Sequence, residues 1–371
     1  MATVHSLVCE NGSAGTYWSG LTAAEKLRYG PVGSERVYAG LGLWYAARSL
    51  AATRLNAEVC EIGDAFIDTS NAGNFYIDTV APAVVITTRV NGVRSSGFHF
   101  GVVGSGYILS NTSGYVRFLS PRQEGVTVDG IEINIANAGD YGIFIDTNMC
   151  TIRNNIVRCL DPTKTNALFR WKGVANKVIN NLFIDGKTGV YNDSYNGTAS
   201  YFYNNIIAKC GTGVRDAHST LKGNFHNNIS IGNTENWGTD AVGAVTSNNA
   251  GEVGDIIWDT VGSSSIIMAT TDFLNYANND FSPALSTSPQ VGAGIQIYEG
   301  LDTDIGDNVR PNYNPIGEEE WDIGSYEYDH GNGLAPTTVT VTIDGMIEGS
   351  VMAIYNSSTG AEIVAPTTIG A

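Results

Sequence analysis

The chain has 371 residues, of which only 15% are charged and 44 are glycine, and its formal net charge is −17. Charge so sparse, against a usual quarter of residues, leaves the solvent face to Asn, Ser, Thr and Gly rather than to the Lys and Glu that coat a helical protein. The 20 Lys and Arg are dispersed, which excludes a clustered cationic surface for nucleic-acid phosphates, and no run of 18 apolar residues exists to span a membrane as a helix.

The opening MATVHSLVCENG (1–12) has neither the positive n-region nor the apolar run of a secretory signal, so a chain made and folded in a cytoplasm is expected. LTAAEKLR (21–28) and WYAARSLAATRLNAEVCEIG (44–63) are amphipathic enough for a helix or two. FYIDTV (75–80), AVVITT (83–88) and YVRFLS (115–120) read as strands, and His99 in GFHFG reads as a packed strand residue. Cys9, Cys60, Cys150, Cys159 and Cys210 are odd in number and lack C-x-x-C spacing, which points to buried thiols.

From residue 125 a period emerges. CTIRNNIV (150–157), KVINNLFI (177–184), YFYNNIIA (201–208), NFHNNISI (224–231) and a degraded VTSNNAGE (245–252) share an Asn pair. Its first member falls at 154, 180, 204, 227 and 248, giving steps of 26, 24, 23 and 21 residues. Asp129-Gly130 in VTVDGIEI (126–133) holds the same register one turn earlier. A second strand-like track, GIFIDT (142–147), ALFRWK (167–172), GVYNDS (189–194) and GVRDAH (213–218), runs in phase between the pairs. Several strands per period in the low twenties, with no helical spacing and no leucine-rich-repeat pattern, define a β-solenoid whose equivalent strands stack about 4.8 Å apart.

Asparagine is depleted in strands, so the pairs need a reason. A solenoid corner requires left-handed backbone, which Asn tolerates better than other residues with a side chain, and stacked inward amides can bond one to the next. The expected ladder involves Asn154, Asn155, Asn180, Asn181, Asn204, Asn205, Asn227 and Asn228, with one member of each pair buried and its neighbour exposed.

Toward the C-terminus the repeat gives way to DFLNYANNDFSPALSTSPQVGAG (272–294), DTDIGDNVRP (302–311) and WDIGSYEYD (321–329). These segments resemble the close of right-handed parallel β-helix proteins of the pectate-lyase-like superfamily, which end in DF…SPAIDAG, D.DG..RP and DIGAYEY forms. The likeness departs at Ala284-Leu285-Ser286 and at Ile305-Gly306-Asp307. The resemblance, together with a likeness of the first 70 residues to tailed-phage proteins, implies an all-β, right-handed single-stranded parallel β-helix. It would comprise an N-terminal cap with the first irregular coils at 1–70, the helix at 71–329, and a linker with a small antiparallel β-module at 330–371. A homotrimeric structural component of a phage virion follows, either a tail spike or fibre or a head decoration. Other virion proteins would be its partners, with host surface polysaccharide as a further one.

The same superfamily contains polysaccharide lyases and hydrolases, and fold does not decide between these classes. The best acid–base candidates on the second track are Asp146, Arg170 and Asp193, with Lys172 in the intervening coil. Asp302, Asp304 and Asp307 form a D-x-D-x-x-D cluster that offers Ca²⁺ carboxylate oxygens, although a capped polar turn has the same spacing. Tyr191, Tyr195, Tyr201, Tyr203 and Trp237 are the aromatics available for a sugar groove. The alternating charge of the second track favours a scaffold over an enzyme, leaving a lyase, a hydrolase or a carbohydrate binder as the alternative.

Overall fold

A computed structural model describes residues 3–50, 57–69, 75–77, 83–111, 117–121, 125–135, 141–161, 167–193, 200–216, 223–238, 245–253, 266–295, 297, 303–308, 310, 312–313, 319–328, 351–355 and 362–368. Three parallel sheets run side by side along the chain of coils. Sheet I has ten described strands, sheet II nine and sheet III seven. One coil shows the rule: Lys177–Ile179 lies in sheet I, Leu182–Ile184 in sheet II and Thr188–Asn192 in sheet III. Each strand pairs in parallel with its counterpart one coil away, so Val128, Ile152, Val178, Phe202 and Phe225 form one continuous column. The fold is a parallel β-helix.

Its interior is filled by such columns. Phe202 and Phe225 sit 5.2 Å apart between ring centroids, and Trp171 stacks on Phe202 at 5.9 Å. Burying one large side chain of this kind stabilises by about 1.5–3 kcal/mol, and the column repeats it coil after coil. All five cysteines are buried thiols.

The N-terminal segment contributes helices α1 (Thr16–Gly20), α2 (Ala23–Leu27) and α3 (Leu41–Leu50). Thr22 and Glu25 make a reciprocal capping box at the start of α2. Leu41 and Trp44 of α3 close the end of the core, and Trp44 Nε1 and Arg48 Nε donate to the two oxygens of Glu58 at 2.8 and 2.7 Å. The amphipathic run does not continue as helix to residue 63. Glu58–Ile62 is a strand of sheet I, paired with Val4–Val8 and Val84–Thr87, because its alternating Cys60 and Ile62 are needed in the core. His99 is packed as expected, but in a turn rather than a strand.

The chain divides into two units, 1–335 and 336–371. The described part of the second is an antiparallel pair of Val351–Tyr355 with Glu362–Thr368; the rest of the segment expected as a small β-module lies outside the described residues.

Candidate functional site

The Asn pairs divide their work between backbone and side chain. The first member takes the left-handed corner, with φ of 53, 54, 54, 56 and 52° at Asn154, Asn180, Asn204, Asn227 and Asn248. The second member points inward: Asn155, Asn181, Asn205, Asn228 and Asn249 are fully buried. Each Nδ2 donates to the next Oδ1, at 3.0 Å from Asn155 to Asn181, 3.0 Å to Asn205, 3.1 Å to Asn228 and 3.0 Å to Asn249. It also donates to a main-chain carbonyl of the coil before, as Asn181 does to Ile152 O at 2.9 Å. Each Oδ1 in turn accepts a backbone N–H, as Asn205 Oδ1 does from Asn181 N at 2.9 Å. Every donor and acceptor of the interior amides is thereby used.

One member of each pair was expected in solvent, yet the first members are buried as well: Asn154, Asn180, Asn204 and Asn227 are only 5, 1, 0 and 0% exposed. The reason is that the C-terminal part of the first unit folds back over this corner. Met268, Phe273, Phe281, Ile305, Ile323 and Tyr326 cover the outer face of sheet II, where Ile156, Leu182, Ile206 and Ile229 project. Asn180 Nδ2 donates to Thr303 O at 2.7 Å, and Asn227 exchanges two bonds with Ile295, 2.8 Å to its carbonyl and 3.0 Å from its N–H. Both polar side-chain atoms of Asn204 are buried without a partner among the described residues. Ser325 Oγ donates to Asn181 O at 2.8 Å and to Asn204 O at 3.0 Å. Gly324 is forced by space, since a Cβ there would lie 2.6 Å from Ile229 Cδ1 at a φ of +93°. Arg310 and Glu327 form a fully buried pair at 3.0 Å; burial pushes the Glu327 carboxyl up to about 8 against the pull of Arg310. The WDIGSYEY segment is thus a clasp.

Sheet III is different, because no described segment covers its outer face as the closing segments cover sheet II. Asp146, Lys172 and Asp193 each follow a residue of the aligned set Ile145, Trp171 and Asn192, so they make one column of alternating charge. Arg170, Tyr191 and Arg215 make the adjacent column. Asp193 is 5% exposed and is held by Arg170, whose Nε lies at 3.0 Å, and by Lys172 Nζ at 3.6 Å. The Arg170 guanidinium lies 4.6 Å from the Tyr141 ring centroid and 5.2 Å from that of Tyr191, and Arg215 covers Tyr191 at 5.6 Å. Tyr141, Ala167, Lys187, Thr188, Tyr191 and Arg215 line a hollow of about 220 Å³. Arg215 and Lys187 are exposed, with no carboxylate partner among the described residues.

The structure therefore brings Arg170 and Asp193 into contact and places Asp146 in line with Asp193, as an ion-paired lattice. Of the five aromatics considered for a sugar groove, Tyr191 alone faces this hollow: Tyr203 and Trp237 are buried, Tyr201 packs beside Ile295, and Tyr195 lies outside the described residues. Tyr141 and Lys187 were missed by sequence reasoning. Their signal was register with the second track, since Tyr141 opens the strand that carries GIFI.

Asp304 and Asp307 do not converge as Ca²⁺ ligands. Asp304 turns inward and accepts from Asn308 N at 2.7 Å, Asn308 Nδ2 at 2.9 Å and Glu327 N at 2.8 Å. Asp307 faces Arg89 NH2 at 3.1 Å and Arg94 Nε at 3.2 Å, and Asp302 lies outside the described residues. Asp129, one coil before the ladder, is buried among Arg94 at 3.2 Å, Arg153 at 3.1 Å and Arg89 at 3.7 Å. Burial opposes its ionisation, but Arg153, Arg94, Asn154 and Arg89 outweigh that and hold its carboxyl below the ordinary range. Among the described residues no three His, Cys, Asp or Glu are grouped to hold a metal ion.

No family model and no curated protein matches the chain. Among solved structures, the crystal structure of pectate lyase Pel9A is similar over 89% of this chain and 97% of its own, at 9% identity and a TM-score of 0.44.

Proposed function

We propose that the chain is a structural component of a tailed-phage particle, a β-helical protein whose sheet III face holds a carboxylated host-surface polysaccharide without cleaving it. The observation that carries the polysaccharide reading is the hollow where Arg215 and Lys187, cations without a carboxylate partner among the described residues, flank the rings of Tyr141 and Tyr191. Tyrosine rings offer stacking surface to sugar C–H faces, and an unpaired guanidinium offers paired donors to a uronate carboxylate. The net charge of −17 does not forbid this, because fields beyond about 8 Å are screened at physiological ionic strength and local contacts decide. A non-cleaving role is supported by Asp193, whose carboxylate is spoken for by Arg170 and Lys172.

The virion setting is supported by the resemblance of the first 70 residues to tailed-phage proteins. Association into a trimer is supported by the second unit, whose two described strands are marginal alone and would gain from strands of other copies. Mass spectrometry of purified particles and sedimentation of the full chain test these two points; absence from particles, or a stable monomer with 336–371 folded, refutes them.

Binding to a panel of acidic and neutral polysaccharides tests the site. Acidic chains are expected to bind, and Arg215→Ala to weaken them about fivefold to tenfold, a loss of about 1–1.4 kcal/mol. Unchanged binding by the variant overturns the site. Depolymerisation abolished by Asp146→Ala or Arg170→Ala overturns the non-cleaving role.

A further inference from the structure

A second hollow, of about 160 Å³, opens where the loop 97–106 meets the turn 276–282. One wall is Phe100, Val102 and Val103, and the other carries Asn278, Asp280 and Ser282. Phe100 is 49% exposed and has a φ of +48°, a backbone region that bulky residues avoid. Such strain persists only where the surroundings impose it. Here they do. His99 Nε2 lies 2.8 Å from Asn154 O and its Nδ1 accepts from Gly101 N at 2.9 Å. Tyr326 OH donates to Gly101 O at 2.6 Å, and Ser105 Oγ to His99 O at 2.8 Å. The ring meets Phe98 edge-on at 4.8 Å between centroids, yet its other half is left in water.

The opposite wall supplies what such a ring would need. Asp280 Oδ1 accepts from Ser282 N at 3.1 Å, which fixes the carboxylate and leaves Oδ2 without a bond among the described residues. Asn278 is exposed, and among the described residues neither its amide nor the Ser282 hydroxyl makes a hydrogen bond. Lys209 Nζ donates to Asn279 Oδ1 at 2.6 Å and to Ala277 O at 3.2 Å, so the turn is braced while its one nearby cation is occupied. No cation lines the hollow, and Asp280 repels an anion. The volume lies well under the roughly 300–1,000 Å³ of a drug-sized site and suits one small ring.

We propose that this hollow binds a single neutral pyranose residue, with the sugar's C–H face on Phe100 and neighbouring hydroxyls bonded to Asp280 and Asn278. The site is independent of the sheet III face and of the anionic ligand proposed there. With one exposed ring and no charge pairing, a dissociation constant on the order of 1 mM is expected.

The test is saturation-transfer NMR and titration of the full chain with methyl glycosides of glucose, galactose and N-acetylglucosamine, against methyl galacturonoside as the charged control. At least one neutral glycoside is expected to saturate the protein. Phe100→Asn keeps a residue suited to left-handed backbone while removing the ring, so binding should fall at least tenfold with no loss of melting temperature. Asp280→Ala should weaken binding similarly, and Arg215→Ala should leave it unchanged. The proposal is overturned if no neutral glycoside binds, if the galacturonoside binds better, or if Phe100→Asn leaves binding intact and lowers the melting temperature, as a packing role requires.

Discussion

Replacing Asn205 by Ala cuts the interior amide column at its middle. In the native protein Asn205 Oδ1 accepts from Asn181 N at 2.9 Å and Asn181 Nδ2 at 3.0 Å, while its Nδ2 reaches Val178 O at 2.9 Å, Tyr203 O at 2.9 Å and Asn228 Oδ1 at 3.1 Å. Truncation leaves Asn181 N–H buried with no acceptor, a cost of about 1–3 kcal/mol. Asn181 Nδ2 still has Ile152 O, and Tyr203 O still accepts Asn180 N at 3.1 Å, so those groups lose only one bond each, at about 0.5–1.5 kcal/mol apiece. The expected total is about 3–5 kcal/mol, read as a lowered guanidinium midpoint followed by far-UV circular dichroism. Hydrogen exchange should quicken first at Asn181 and its neighbours in sheet I. Asn205→Asp should cost at least as much, because an oxygen would then face Val178 O and Asn228 Oδ1. A change under about 1 kcal/mol for Asn205→Ala would refute the reasoning, since it would mean that the column is decorative.

The outer column should behave unevenly. Asn204→Gly removes an amide that has no partner among the described residues and keeps a residue suited to a φ of +54°, so stability should be unchanged or raised, whereas Asn227→Gly loses two bonds to Ile295 and should cost about 1–3 kcal/mol in the same denaturation assay. His99 is buried, which lowers its pKa from 6.5 to about 4. Between these values the unfolded chain binds the extra proton and the folded chain does not, so stability should fall as pH drops from 6.5 toward 4, by about 3 kcal/mol for this group. Urea unfolding across that window checks it, and a flat profile would count against a neutral His99 bonded to Asn154 O. Arg215→Ala should weaken acidic polysaccharide and leave urea unfolding unchanged, because the exposed guanidinium is engaged only with the Tyr191 ring among the described residues.

What could be read from the chain was what repeats. The Asn spacing gave both corner and ladder because a solenoid places equivalent residues one coil apart, and the second track gave sheet III for the same reason. What stayed hidden comes from contacts between segments far apart in sequence. Nothing near Asn227 announces that Ile295 will cover it, and Tyr326 meets Gly101 across 225 positions. The closing segment was recognised as an end marker without its role, because its bonds run to main-chain carbonyls, which leave no trace in side-chain pattern. Asp129 was visible in register, but two of its cations, Arg89 and Arg94, sit on a hairpin in an earlier coil. Asp304 and Asp307 shared a spacing suited to a cation yet face opposite duties, one capping a turn and the other meeting two arginines.

The clasp also sets an order of events during synthesis. A simple solenoid can add coils one at a time, each completed by its neighbour. Here Asn204 O and Asn227 O wait for Ser325 and Gly324, and Asn181 O, already bonded by Ile206 N, gains Ser325 as a second donor; both residues are made about 100 or more positions later. Until these leave the ribosome, the corner of every finished coil stays wet and the apolar outer face of sheet II stays bare. Once they dock, one short segment ties three successive coils together, so the stack loses its freedom to fray coil by coil and opens as a block.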